Sequence, residues 1–282
     1  MTTDFQTARE ALGARLRDLR AEAGLEGKDL AAKLGWQPSK VSRLQNGKQT
    51  PTRDDLTAWA RAIGRPDVVE ELHGLLAGLG LKDRHRSWQR QLAGGIRGRQ
   101  EIAVKLTDNT REIRGLEVAR IPGLFQTPEY ARAVFDALAE FRGIPPKTDE
   151  AVEARMRRQE ALYDPAKSFR FVLCEAALYH RPCPVDVMAE QLDRLYNLVG
   201  QKRIELGVIP FAAQLRRTAS HSFWIYDQRL VIVETISEEL WLTGDQDIQL
   251  YERAWEWLDA SAEYGAPARR LIGRARASLD LA

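Results

Sequence analysis

The stretch Leu30-Ala31-Ala32-Lys33-Leu34-Gly35-Trp36-Gln37-Pro38-Ser39-Lys40-Val41-Ser42-Arg43-Leu44 decides how the N-terminal part of this chain folds. Leu30, Ala31 and Leu34 recur at helical spacing. Gly35 supplies the permissive backbone that a tight turn needs. Pro38 suits a first helical position, where its missing N–H leaves nothing unpaired. Val41 and Leu44 then turn a second short helix back onto the first. Ser39, Lys40, Ser42 and Arg43 are left facing outward. Short polar and basic groups on one helix face suit the DNA major groove, where base edges offer acceptors between flanking phosphates. The same face also reads as a solvated surface, and a helix pair of this kind also occurs as a protein-interaction element.

The pattern extends in both directions. Leu16-Arg17 and Leu19-Arg20 precede it, and Asn46-Gly47 closes the second helix. Thr50-Pro51-Thr52 follows, with Leu56, Ala60, Ile63 and Gly64 at helical spacing and Thr52-Arg53-Asp54-Asp55 as a capping-box-like start. Residues 16–64 thereby resemble the Xre/Cro-type, lambda-repressor-like domain, normally of five helices. The resemblance implies base contacts from the start and middle of the third helix: Ser39, Lys40 and Arg43, with Gln37, Pro38 and Ser42 beside them. Arg17, Lys28, Asn46, Lys48 and Arg53 are the corresponding phosphate-contact candidates. The family usually opens its second helix with a Ser cap followed by a phosphate-bracing Gln. Here Glu26 and Gly27 stand at those positions, so Lys28 is the substitute candidate.

With 282 residues the chain is long for one domain and comfortable for two. Hydrophobic residues make up 44%, enough for a sizeable core. No apolar run approaches the roughly 20 residues of a membrane span, and Met1–Gln6 lacks the character of a secretion signal. Two cysteines build no disulfide framework, so a reducing cytoplasm is the expected setting. Net charge is only +2, yet residues 1–65 hold twelve Lys and Arg against eight Asp and Glu. The positive excess therefore sits where DNA contact is expected.

Domain boundaries follow from composition. Pro66 opens a further helix over 67–79, with Val68, Leu72, Leu75, Leu76 and Leu79 as its apolar stripe, and residues 1–80 form the first domain. Residues 81–87, a basic polar run, read as a linker, and residues 88–282 as an α+β domain. Within it the spacing predicts a helix over 100–114, a strand over 116–121, a helix capped by Thr127, and a charged helix over 148–162 with the basic run Arg155-Met156-Arg157-Arg158. Strands are expected at 169–173 and 204–211, a hairpin at 222–226 and 230–236, and a strand at 239–243. Helices are expected from Pro184, over 245–263 and over 267–281.

Trp88 with Arg90, Ile121-Pro122-Gly123-Leu124, Gln126-Thr127, Ala154-Arg155-Met156, Glu175-Ala176-Ala177-Leu178 and Val208-Ile209-Pro210-Phe211 occur in that order. This second half is similar to that of the actinobacterial WhiJ-like regulators. The resemblance implies a transcription factor whose gene often neighbours one for a small partner protein, in an antitoxin-like arrangement. It supplies no ligand and no catalytic residue.

Chemical motifs are sparse. Cys174, His180, Cys183 and His221 lack the close pairing that zinc sites favour. Cys174 reads as a small buried hydrophobe, and no glycine-rich elbow accompanies it as a nucleophile. Glu175 and Glu234 are one of many chance carboxylate pairs among 40 acidic residues. Trp224, Trp241, Trp255 and Trp257 sit at core spacing, with a ligand pocket as the alternative. The expectation is therefore a non-enzymatic, DNA-binding transcriptional regulator without a cofactor or metal. Its expected partners are double-stranded DNA and a second copy of itself, with a small neighbour-encoded protein and a small-molecule effector as further candidates. The rival reading is an antitoxin-like protein that sequesters its partner and autoregulates.

Overall fold

The computed structural model describes residues 4–93, 95–145 and 147–281. It divides into two compact units, residues 1–85 and 86–282. Among the described residues no helix is long and apolar enough to cross a membrane.

The first unit is helical: α1 (Asp4–Glu22), α2 (Gly27–Leu34), α3 (Pro38–Gln45), α4 (Arg53–Ala62) and α5 (Val69–Arg84), with a 3-10 turn at Pro66–Val68. Leu16, Leu30, Leu44, Leu56, Trp59 and Leu72 are fully buried and tie these helices to one core. Each such side chain contributes about 1.5–3 kcal/mol by leaving water. One close approach fixes the frame. A Cβ built on Gly13 of α1 would lie 2.8 Å from the carbonyls of Leu44 and Gln45 and 2.9 Å from the Gly47 nitrogen. Only a glycine lets α1 sit this near the end of α3. The segment expected as a linker begins differently: α5 continues through Arg84, and residues 85–87 form a short strand. Lys and Arg are good helix formers, so the basic run extends the helix rather than ending it.

The second unit is α+β. Its mixed sheet has the order β1-β7-β6-β5-β2-β3-β4, from β1 (His85–Ser87), β2 (Glu112–Glu117), β3 (Ser168–Cys174), β4 (Ile204–Ile209), β5 (Phe223–Tyr226), β6 (Leu230–Glu234) and β7 (Glu238–Leu242). β2, β3 and β4 run parallel, with Ile113 opposite Phe169 and Phe169 opposite Ile204. The β2–β5, β5–β6 and β6–β7 pairs are antiparallel. Parallel neighbours need long crossovers. α8 (Pro128–Arg142) and α9 (Thr148–Gln159) lie between β2 and β3, and α10 (Val185–Leu198) lies between β3 and β4. α6 (Trp88–Gln91), α7 (Gly95–Asp108), α11 (Asp245–Asp259) and α12 (Gly265–Ser278) complete the unit.

Period-two alternation splits the sheet between two cores. Ile113, Phe169, Phe171 and Leu173 face a core shared with α10 and α12, whereas Leu116, Val172 and Val231 face one shared with α11. Gly115 lies on the first face, where a Cβ would stand 2.4 Å from the Phe171 ring. That space admits the edge contacts of Phe171 with Phe125 and Trp224, at 4.9 and 4.8 Å between centroids.

Two expectations in this region are corrected. The helix expected over 100–114 ends at Asp108, and the strand expected over 116–121 lies at Glu112–Glu117. The cause is distant in sequence. The Asp227 carboxylate accepts the N–H groups of Arg111 and Glu112, each at 2.9 Å, and so fixes the start of β2. Asp227 itself sits in the hairpin turn at φ +45°.

Candidate nucleic-acid interface

The geometry of the turn follows from its residues. Gly35 takes φ +66°, and the N–H of Trp36 reaches back to the Ala31 carbonyl at 2.9 Å, ending α2. Gln37 is the extended residue before α3, and Pro38 occupies its first turn. α2 has no Ser cap. Instead the Asp29 carboxylate accepts the Glu26 N–H at 3.1 Å, one half of a capping box. Lys28, 74% exposed at the start of this helix, stands 3.1 Å from Glu26. An exposed pair of this kind is worth little and exchanges readily.

On α3, Val41, Leu44 and Gln45 are buried, while Ser39, Ser42 and Arg43 are exposed, as is Gln37 just before it. Among the described residues Arg43 engages only its Nε, on the Gln49 side-chain oxygen at 2.9 Å, which leaves the two terminal nitrogens of its fork unspent. Gln49 escaped the sequence reading; nothing in its spacing marks it as the support of Arg43. Lys48 and Arg53 are exposed, with no side-chain partner among the described residues. Arg17 is exposed and gives one N–H to the Gln45 carbonyl at 2.9 Å.

Two of the expected contact residues have partners within the unit. Lys40 is half-buried. Its ammonium lies 2.6 Å from the Asp55 carboxylate and 3.9 Å from the Trp36 ring centroid, with side-chain exposures of 28% for Lys40 and 11% for Asp55. Burial alone would raise the Asp55 carboxyl, but Lys40 and the Thr52 cap hold it below the usual carboxylate range. Reaching a base edge would require Lys40 to abandon a half-buried ion pair. It therefore ties α3 to the start of α4. Asn46 is likewise spent: its amide nitrogen donates to the Ser42 carbonyl at 2.8 Å and approaches the Ser42 hydroxyl at 3.3 Å.

In the second unit, Cys174, His180, Cys183 and His221 do not converge, and among the described residues no three His, Cys, Asp or Glu side chains could hold a metal ion. His180 contacts the Ala119 carbonyl at 3.1 Å and His221 the Tyr251 hydroxyl at 3.0 Å. Glu175 pairs with Arg274 and Glu234 with Arg120, so they form no carboxylate dyad. Trp255 is buried in the core, whereas Trp224 borders a cavity. In the basic run of α9, Arg157 is exposed while Arg158 is buried and Arg155 half-buried. The two that turn inward are three residues apart, on one helix face.

The family described as Domain of unknown function (DUF5753) matches residues 101–274, and that described as Helix-turn-helix domain matches residues 11–73. Among curated proteins none matches the chain. The solved structure of TrmBL2, an archaeal chromatin protein, aligns over 86% of this chain and 88% of its own at 12% identity. Its TM-score of 0.30 is too low for a common fold.

Proposed function

This chain belongs to the DUF5753 family, and we propose that it is a cytoplasmic, DNA-binding transcriptional regulator that reads the major groove with α3. One observation carries the reading: within a helix-turn-helix domain, α3 buries Val41 and Leu44 and leaves Ser39, Ser42 and Arg43 exposed. Arg43 presents a fork of terminal N–H groups, the geometry that pairs with the two acceptors of a guanine edge. Arg17, Lys28, Lys48 and Arg53 supply phosphate neutralisation around it, in the part of the chain where positive charge is in excess. We assign it no catalytic step.

So few base contacts give limited specificity, and we extend the proposal to a homodimer on two half-sites about 34 Å apart. The second unit then serves dimerisation or sensing, and an antitoxin-like partnership would add a small protein bound to it. Selection of bound fragments from genomic DNA, followed by salt titration, tests the reading. Four neutralising cations per protomer predict that log K falls with log salt at a slope of about −3.6 per protomer. Failure to enrich any sequence, or affinity indifferent to salt, would overturn it. If residues 1–80 alone bound the selected site as tightly as the full chain, the dimerisation role of the second unit would be lost.

A further inference from the structure

The second unit holds a cavity of about 120 Å³, with a lobe of about 40 Å³ that shares Arg99, Glu117, Arg120, Arg158, Trp224 and Glu234 as its walls. One water needs roughly 10–15 Å³ on this measure, so the space admits a small organic molecule. Its polar wall is built almost wholly of charged groups. Arg99 donates to the buried Glu239, its Nε at 2.8 Å, and Arg120 pairs with Glu234 at 2.6 Å. These two cations are compensated.

Arg155 and Arg158 are not. Arg155 donates to the side-chain oxygens of Gln100 and Gln126 and lies over the Phe135 ring. Arg158 is 7% exposed and gives its Nε to the Thr107 hydroxyl at 2.7 Å. Neither forms an ion pair with a carboxylate among the described residues, and Nη2 of Arg158 is buried with no hydrogen-bond partner. Glu117, 5% exposed, receives the Trp224 indole N–H on one oxygen at 2.8 Å, and its other oxygen has no partner at hydrogen-bond geometry among the described residues, with Ser222 beside the carboxylate. An unpartnered buried charge is costly unless a counter-ion fills the gap.

The titration directions agree with that geometry. Burial, then the neighbouring Arg158, pulls Arg155 down to about 9. Burial likewise lowers Arg158, and it raises Glu117 against the pull of Arg120. The remaining wall is apolar, including Leu92, Ile96, Val134, Phe135 and Leu138.

From this arrangement we infer that the cavity is a binding site for a small organic carboxylate, its anionic end on Arg155 and Arg158 and its hydrocarbon body against Phe135 and Leu138. Two guanidiniums without a carboxylate partner call for a ligand with several acceptors and negative charge. The apolar wall favours a carboxylate on a hydrocarbon body over a fully hydrated oxyanion.

The site is independent of DNA binding, so its test contains no DNA and can fail while the proposed function stands. The full-length protein, in chloride-poor buffer, is titrated with hexanoate, benzoate, their neutral amides and inorganic phosphate. Thermal stability and tryptophan fluorescence are followed together. A ligand bound only by the native state raises the midpoint in a saturable way. At least one carboxylate should do so, its amide should not, and Arg155→Met should weaken the response at least tenfold. The Arg155→Met variant is checked for an intact fold by circular dichroism; Arg158→Met gives a second reading. A flat response to every anion, equal response to acid and amide, or an unchanged response in a folded Arg155→Met overturns the inference. Stabilisation by phosphate alone overturns the ligand class.

Discussion

Replacing Lys40 with Met separates a structural tie from a base reader. The ammonium lies 2.6 Å from Asp55, itself 8% exposed, and 3.9 Å from the Trp36 centroid. A hydrogen bond to a charged group contributes about 1.5–3 kcal/mol, and the ring contact about 0.5–1 kcal/mol more at a half-exposed site. Met keeps most of the packing of the stem, so a net loss of about 2 kcal/mol is expected in the first unit. That corresponds to roughly thirtyfold faster exchange of the α4 amides that open with the whole unit. Adding Asp55→Asn should recover part of the loss, because the uncompensated carboxylate disappears while its oxygen still accepts the Thr52 N–H, 3.0 Å away in the native chain.

The pH dependence has a definite sign. Asp55 has a folded pKa below its unfolded one. Its contribution is therefore complete above the ordinary carboxylate range near 4 and is lost as pH falls through the depressed folded value. Lys40→Met should flatten that acid limb. DNA base preference should not change. Unaltered exchange together with a changed preference at one operator position would refute the assignment of Lys40 as a tie.

Three further outcomes follow from packing. Gly13→Ala gains about 0.5–1 kcal/mol in helix propensity but meets backbone atoms at 2.8 Å. Chemical denaturation should therefore show net destabilisation of about 1–2 kcal/mol, and salt-dependent DNA affinity should fall with it. Gly115→Ala drives a methyl into the Phe171 ring and should lower the thermal midpoint of the second unit, whereas the double variant with Phe171→Leu should recover much of it. Asp227→Ala removes the acceptor of two N–H groups at the start of β2. Faster exchange at Arg111 and Glu112, with α10 unaffected, is expected.

Local chemistry made the helix-turn-helix region legible. Gly35, Pro38 and the Thr52 cap act on their immediate neighbours, and each holds the backbone that its type demands. The direction of single side chains was not legible. Lys40 turns inward because Asp55 and Trp36 approach it in three dimensions, and spacing along α3 carries no trace of either. The same holds for β2, whose first residues are fixed by Asp227, more than a hundred positions later. The cavity was hidden for a further reason. A run of arginines on a helix normally marks a solvated face, and Arg155 and Arg158 invert that rule by turning toward the interior.

The proposed binding mode has α3 reading bases through Arg43 while other cations hold phosphates. It is tested most directly by measuring the affinity of the native chain, Arg43→Ala and Lys48→Ala for a selected site and its complete set of single-base variants, at fixed salt. Arg43→Ala should cost about 1–3 kcal/mol and erase discrimination at one base pair. Lys48→Ala should weaken every sequence alike and reduce the salt slope by about 1. Equal, sequence-independent losses from both substitutions would contradict the reading of α3 as a base-reading helix.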